Sequence, residues 1–217
     1  MRPGRSRAAR TFAALGLLAC TLACTLAFGL GCGSAMAQTP APAPAPVSSG
    51  FDPFYTRFGF ELRTRWGQKV EGTFPSYEGE VSVLPDGRHQ VRIALATGAV
   101  KVGDSRRYTE LARGRRFFDS ARYPRIEFLS EPHPADLVHN GGKLRGRLTL
   151  HGVSRMETFV LAPSTCSRPG KDCDVLAYGS VSRDDYGLDG WNLALGDRVR
   201  FTMRVRTRKD LGQDATQ

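Results

Sequence analysis

The chain has 217 residues, with 31 Lys and Arg against 21 Asp and Glu, for a formal net charge of +10. Four of those basic residues and none of the acidic ones precede Gln38, so the remainder carries +6. A basic exterior attracts nucleic acid, anionic lipid or counterions. The export signal at the N-terminus argues against nucleic acid and leaves a weak contact with anionic membrane surfaces beside a solvated, arginine-rich exterior.

Residues 1–37 read as a signal peptide. Arg2, Arg5, Arg7 and Arg10 form a basic start, an apolar run spans Phe12 to about Gly31, and Ala35-Met36-Ala37 is a small-x-small cleavage site. Export to the periplasm follows. The alternatives are an uncleaved anchor, since the run approaches the ~20 residues that span a bilayer, and a lipoprotein, since Leu17-Leu18-Ala19-Cys20 resembles a lipobox. Residues 38–50, with Pro and Ala alternating from Thr39 to Pro46, form neither helix nor ladder and read as a disordered polyproline linker. Residues 51–209 are one domain by size, and 210–217 a disordered tail.

Within the domain the apolar period is two. Phe58, Phe60, Leu62, Thr64 and Trp66 alternate with charged residues and Gly59, and Val199, Phe201, Met203 and Val205 alternate with Arg198, Arg200, Thr202 and Arg204. Each reads as a strand with one wet and one buried face. Further strands are expected near 79–84, 89–96, 125–130, 143–150, 157–161 and 176–183, separated by turns such as Pro85-Asp86-Gly87 and Asn140-Gly141-Gly142. About eight strands suffice for a closed antiparallel barrel. One short helix is expected between Ser105 and Phe118. Of five cysteines, three lie in the leader; the remaining pair, Cys166 and Cys173, flanks Pro169-Gly170 and reads as a disulfide closing a short loop. Free thiols or half a zinc site are the alternatives, but no Cys or His pair at ligand spacing supports a metal. His89, His133, His139 and His151 stand singly and are expected in turns.

Several blocks, in order, resemble the YceI-like polyisoprenoid-binding proteins. They are Gly72-Thr73-Phe74 with Tyr77-Glu78-Gly79, Phe117-Phe118-Asp119 with Tyr123 to Phe128, Gly146 to Ser154, Ser182 to Leu188, and Leu195 to Val199. The chain departs from the family pattern at Phe54-Tyr55-Thr56 and at Arg107 to Leu111, positions bearing on the ligand's polar end. The resemblance implies an all-β, lipocalin-like barrel with a long internal tunnel for an isoprenoid lipid or quinone, held as ligand with no further cofactor. The lining expected is Phe58, Phe60, Leu62, Trp66, Phe74, Ile93, Leu95, Ile126, Phe128, Leu148, Leu150, Phe201 and Met203. Tyr108, Phe117, Phe118 and Tyr186 are expected at the mouth, with Arg107 or Arg183 near a polar head. Apolar positions like these are also what a solid barrel would use as core, so a non-catalytic structural or interaction module of the envelope is the alternative. No nucleophile, metalloprotease or phosphate-loop motif occurs, and Asp184-Asp185 would point to opposite faces of a strand; no catalytic residue is expected. Oligomeric state is not legible.

Overall fold

The computed structural model describes residues 47–208; the leader, the Pro/Ala run to Pro46 and the C-terminal tail lie outside the described residues. Eleven strands share one sheet. They are β1 (Val47–Gly50), β2 (Arg57–Thr64), β3 (Lys69–Thr73), β4 (Tyr77–Val83), β5 (His89–Ala96), β6 (Lys101–Val102), β7 (Arg125–Ser130), β8 (Gly142–Leu150), β9 (Val153–Leu161), β10 (Val175–Ser182) and β11 (Leu195–Val205). The order across the sheet is β1-β4-β5-β7-β8-β9-β10-β11-β2-β3-β6, with neighbours antiparallel. Two short helices, α1 (Arg106–Arg113) and α2 (Leu137–Asn140), accompany it.

The two strands with the clearest alternation are paired with each other. Phe60 stands opposite Phe201 and Leu62 opposite Val199, all four buried, while Arg200 between Val199 and Phe201 faces water. Large rings fit because glycines sit across from them. A Cβ on Gly72 would lie 2.3 Å from the Phe60 ring, and one on Gly179 would lie 2.5 Å from the Phe159 ring. Each ring therefore lies over a neighbouring strand that has no side chain there.

The expected eight strands are corrected to eleven, and the closed barrel to a curled half-barrel: the outermost strands β1 and β6 do not pair with each other. The strands absent from that count, β1, β3 and β6, have four, five and two residues, too few to establish a period of two. β1 also shortens the expected linker, since Val47–Gly50 is a strand registered against β4. Just beyond it Phe51 bridges Thr207, and the Asp52 N–H donates to Arg206 O at 2.8 Å. These contacts bring the β1 flank to the end of β11 and curl the sheet.

A second helix, α2, joins the one expected. α1 starts where Ser105 Oγ accepts from the Tyr108 N–H. It stops short of Phe118 because the Gly114 N–H closes on the carbonyls of Glu110 and Leu111, after which Phe117 and Phe118 turn into the core. The Cys166–Cys173 disulfide is present, with Cα atoms 6.4 Å apart. The histidines depart from expectation: His89 opens β5 and bridges His133, and His139 lies in α2, leaving His151 in a turn.

Candidate functional site

Inside the curl, side-chain size decides where space remains. The middle is filled by Phe58, Phe128, Phe159 and Phe201 with Leu95, Ile126 and Leu148, leaving a void of about 20 Å³. Phe128 and Phe159 meet edge to face with centroids 5.0 Å apart. On either side of this layer lies a chamber, of about 420 Å³ at the α1 end and about 380 Å³ at the disulfide end. Both fall within the roughly 300–1,000 Å³ of small-molecule sites. The single continuous tunnel that the resemblance implies is thus replaced by two chambers with a packed layer between them.

The helix-side chamber has Phe60 and Leu62 of β2, Val70 of β3, Val102 of β6, Ala112 of α1 and Phe117 in its wall. Trp66, Tyr108, Leu111 and Trp191 stand around its opening, 75, 57, 37 and 40% exposed. Arg107 lines it as well, with no acidic partner among the described residues. Lys69, also on the wall, is occupied: Glu61 and Glu71 hold it at 3.3 and 2.5 Å, and hydrogen bonds to Glu71 and then Glu61 raise its pKa.

The disulfide-side chamber is lined by small side chains. Seven valines contribute, among them Val81 and Val83 of β4 and Val205 of β11, with Ala177 opposite and Pro169-Gly170-Lys171 of the disulfide loop across one end. His133 is the buried polar group in this wall. Its Nδ1–H donates to Pro134 O at 3.0 Å, while Nε2 is buried without a partner. Burial, the largest cause, lowers its pKa.

The expected site residues divide accordingly. Phe60, Leu62 and Phe117 line the helix-side chamber; Phe58, Leu95, Ile126, Leu148 and Phe201 form the packed layer; Ile93, Phe128 and Met203 border both that layer and the disulfide-side chamber. Trp66, expected in the wall, stands exposed at the rim of the helix-side chamber, and Tyr108 stands at its opening. Phe74 and Phe118 pack against Phe60 as solid core, and Leu150 is buried outside both chambers. Tyr186 is not at the mouth: it is fully buried and donates to Glu157 at 2.7 Å, and burial followed by that bond raises its pKa.

Arg183 cannot serve a ligand head. It is fully buried, its pKa lowered by burial, and it donates to the carbonyls of Leu188 (2.6 Å), Gly190 and Gly196 (3.3 Å). Its guanidinium also lies 5.4 Å from the Phe117 ring centroid. It therefore pins both ends of the segment that carries Trp191 to the chamber wall. Sequence reasoning missed Trp191 and the valine wall for one reason. It sought the largest apolar side chains, whereas open space lies beside small ones; Val81 and Val83 at alternate positions of β4, and Val175 and Ala177 at alternate positions of β10, were the available signal.

Comparison with known proteins places this geometry. The YceI-like domain model matches residues 50–207. Burkholderia cenocepacia BcnA superposes with a TM-score of 0.58 at 16% identity, covering 71% of this chain and 98% of that one. A polyisoprenoid binding domain from Saccharophagus degradans, implicated in plant cell wall breakdown, gives 0.57 at 13% identity, covering 76 and 100%. A Campylobacter jejuni YceI protein gives 0.50 at 18% identity, covering 64 and 85%. At such identities the likeness speaks for the fold. No curated protein matches the chain in sequence. The family match spans nearly all of the described sheet, and the chain belongs to the YceI-like family.

Proposed function

We propose that this protein binds an isoprenoid lipid or quinone through its prenyl tail, and carries or stores it in the bacterial periplasm. The observation that carries the reading is the pair of apolar chambers within the sheet, one of them open at an aromatic rim. Family membership and the polyisoprenoid-binding name of one structural neighbour support it. Tail burial supplies affinity at about 25 cal/mol per Å² of apolar area, so different polar heads are tolerated. The head stays at the helix-side opening, where Arg107 is unpaired. The leader and the disulfide support the periplasm, an oxidising compartment. The residues present suit binding rather than catalysis.

A short tail occupies one chamber; a long one requires the phenylalanine layer to yield. That layer is also the observation favouring the second reading, a structural or interaction module with a solid interior. Uptake of a fluorescent prenyl alcohol separates the two. Saturable uptake is expected, weakened by Ala112→Phe, which narrows the helix-side chamber, and by Ala177→Phe, which narrows the other. Absence of uptake, or uptake indifferent to both substitutions, supports the solid module.

A further inference from the structure

The rim of the helix-side chamber has features that holding a ligand does not require. The chain has two tryptophans, and both stand on this one rim. Tryptophan is on average a highly buried residue, yet Trp66 is 75% exposed and Trp191 is 40% exposed. Leu193, two residues beyond Trp191, is 94% exposed. Trp191 also holds φ at +66°. A bulky side chain in the left-handed region is an outlier, where Gly or Asn would sit without strain. The fold thus keeps a strained tryptophan at the surface.

The charged side chains beside the rim tryptophans and Tyr108 that have no ion pair among the described residues are basic. Arg107 has no acidic partner among the described residues. Arg116 lies 5.8 Å from the Trp191 ring centroid, and the Arg65 side chain donates to the carbonyl of Asn192 at 3.0 Å and has no acidic partner among the described residues. Nearby acids are engaged: Glu110 pairs with Arg106, and Glu61 and Glu71 pair with Lys69. Asp189, exposed in the same segment, lies in the field of buried Arg183.

We propose that this rim docks the protein on an anionic lipid bilayer, with Trp66, Tyr108, Trp191 and Leu193 entering the interface and Arg65, Arg107 and Arg116 facing lipid phosphates. Amphipathic rings rest at the boundary between headgroups and acyl chains, and unpaired basic side chains complement an anionic surface. Docking sets the chamber opening against the bilayer, so an insoluble tail reaches the wall without crossing water. The docking itself does not depend on what fills the chamber. That purpose rests on the function proposed above.

The two tryptophans make the test internal to the protein. Equal-part phosphatidylglycerol and phosphatidylcholine vesicles are expected to sediment the full-length protein and shift its tryptophan emission to the blue. Pure phosphatidylcholine vesicles do so more weakly, and salt removes the difference. Arg107→Gln weakens binding to the anionic vesicles roughly fivefold, the effect of one interfacial charge. Trp66→Ser with Trp191→Asn, and separately Leu193→Gln, reduce sedimentation at least severalfold with the far-ultraviolet circular dichroism unchanged. Phe54→Ser, at an exposed aromatic outside this rim (82% exposed), leaves it unaltered. No sedimentation on anionic vesicles, or sedimentation indifferent to the rim variants, overturns the proposal. So does a dimer of the parent protein that the rim variants dissolve, which would assign the rim to a second copy of the chain. Uptake of the prenyl probe from vesicle-free solution is read separately: docking failing while uptake persists leaves the binding function standing, and the reverse leaves the docking standing.

Discussion

Replacing Arg183 by Met should loosen the chamber wall selectively. The methionine approximates the length of the side chain but donates no hydrogen bond, so the carbonyls of Leu188, Gly190 and Gly196 lose their shared donor. A hydrogen bond from a charged donor contributes about 1.5–3 kcal/mol. Contact with the Phe117 ring adds about 0.5–2 kcal/mol. Opposing these, the substitution relieves the burial of a cation whose Nε has no partner, an orphaned donor costing about 1–3 kcal/mol. The net expectation is a loss of about 2–4 kcal/mol, a large share of the roughly 5–15 kcal/mol that holds a domain together. Urea unfolding measures the total. Hydrogen exchange localises it, with faster exchange expected over residues 188–194 than over β2 or β11. Arg183→Lys should fare little better, because one ammonium cannot reproduce the planar fork that reaches both ends of the segment. A loss below about 0.5 kcal/mol, the range of ordinary surface substitutions, would refute the clamp. Uniform loosening of all strands would refute it equally.

Phe128 borders both the packed layer and the disulfide-side chamber, so Phe128→Ala should cost about 3–5 kcal/mol and join the two spaces. A long prenyl alcohol should then raise the variant's melting temperature more than the parent's; equal shifts would argue against a tail crossing the layer. Burial lowers the His133 pKa, so as pH falls the unfolded chain takes up its proton first. Its contribution is complete above the ordinary histidine pKa of about 6.5, is lost as pH falls towards the folded-state value, and levels off below it. Urea midpoints at about pH 7.5 and pH 5 should differ less in His133→Phe than in the parent, and an unchanged difference would assign the slope elsewhere. The disulfide closes a loop of sequence separation 7, for which chain entropy suggests about 2.5 kcal/mol. Thiol labelling of the unreduced, unfolded protein should fail at Cys166 and Cys173, and full labelling there would refute the pairing.

Much of this architecture is legible in the alternation of β2 and β11, because one buried and one wet face impose a period of two on any strand long enough to display it. β5 and β7 begin and end where the sequence places them. The short strands at the rims are not legible: β6 spans two residues, and its existence depends on β3 being alongside. The candidate site was half legible. Phe60, Leu62 and Phe117 were identifiable as wall residues, but alternation says which residues face inward, not whether they meet. Phe58, Phe128 and Phe201 point inward around one small void, and so fill the middle that sequence reasoning left open. Arg183 illustrates the converse. A charged residue beside a turn reads as solvent-exposed or ligand-facing until the fold shows three carbonyls converging on it. Trp66 lay one turn beyond the end of its strand, where the period of two no longer applies.

Native mass spectrometry of the protein purified from a bacterial host asks most directly whether the chambers receive a prenyl tail. A population heavier than the bare chain, whose extra mass dissociates as an isoprenoid lipid and is depleted in Ala112→Phe or Ala177→Phe, is the result expected here. A protein that always flies at its bare mass, and gains none after incubation with prenyl alcohol, would contradict the account.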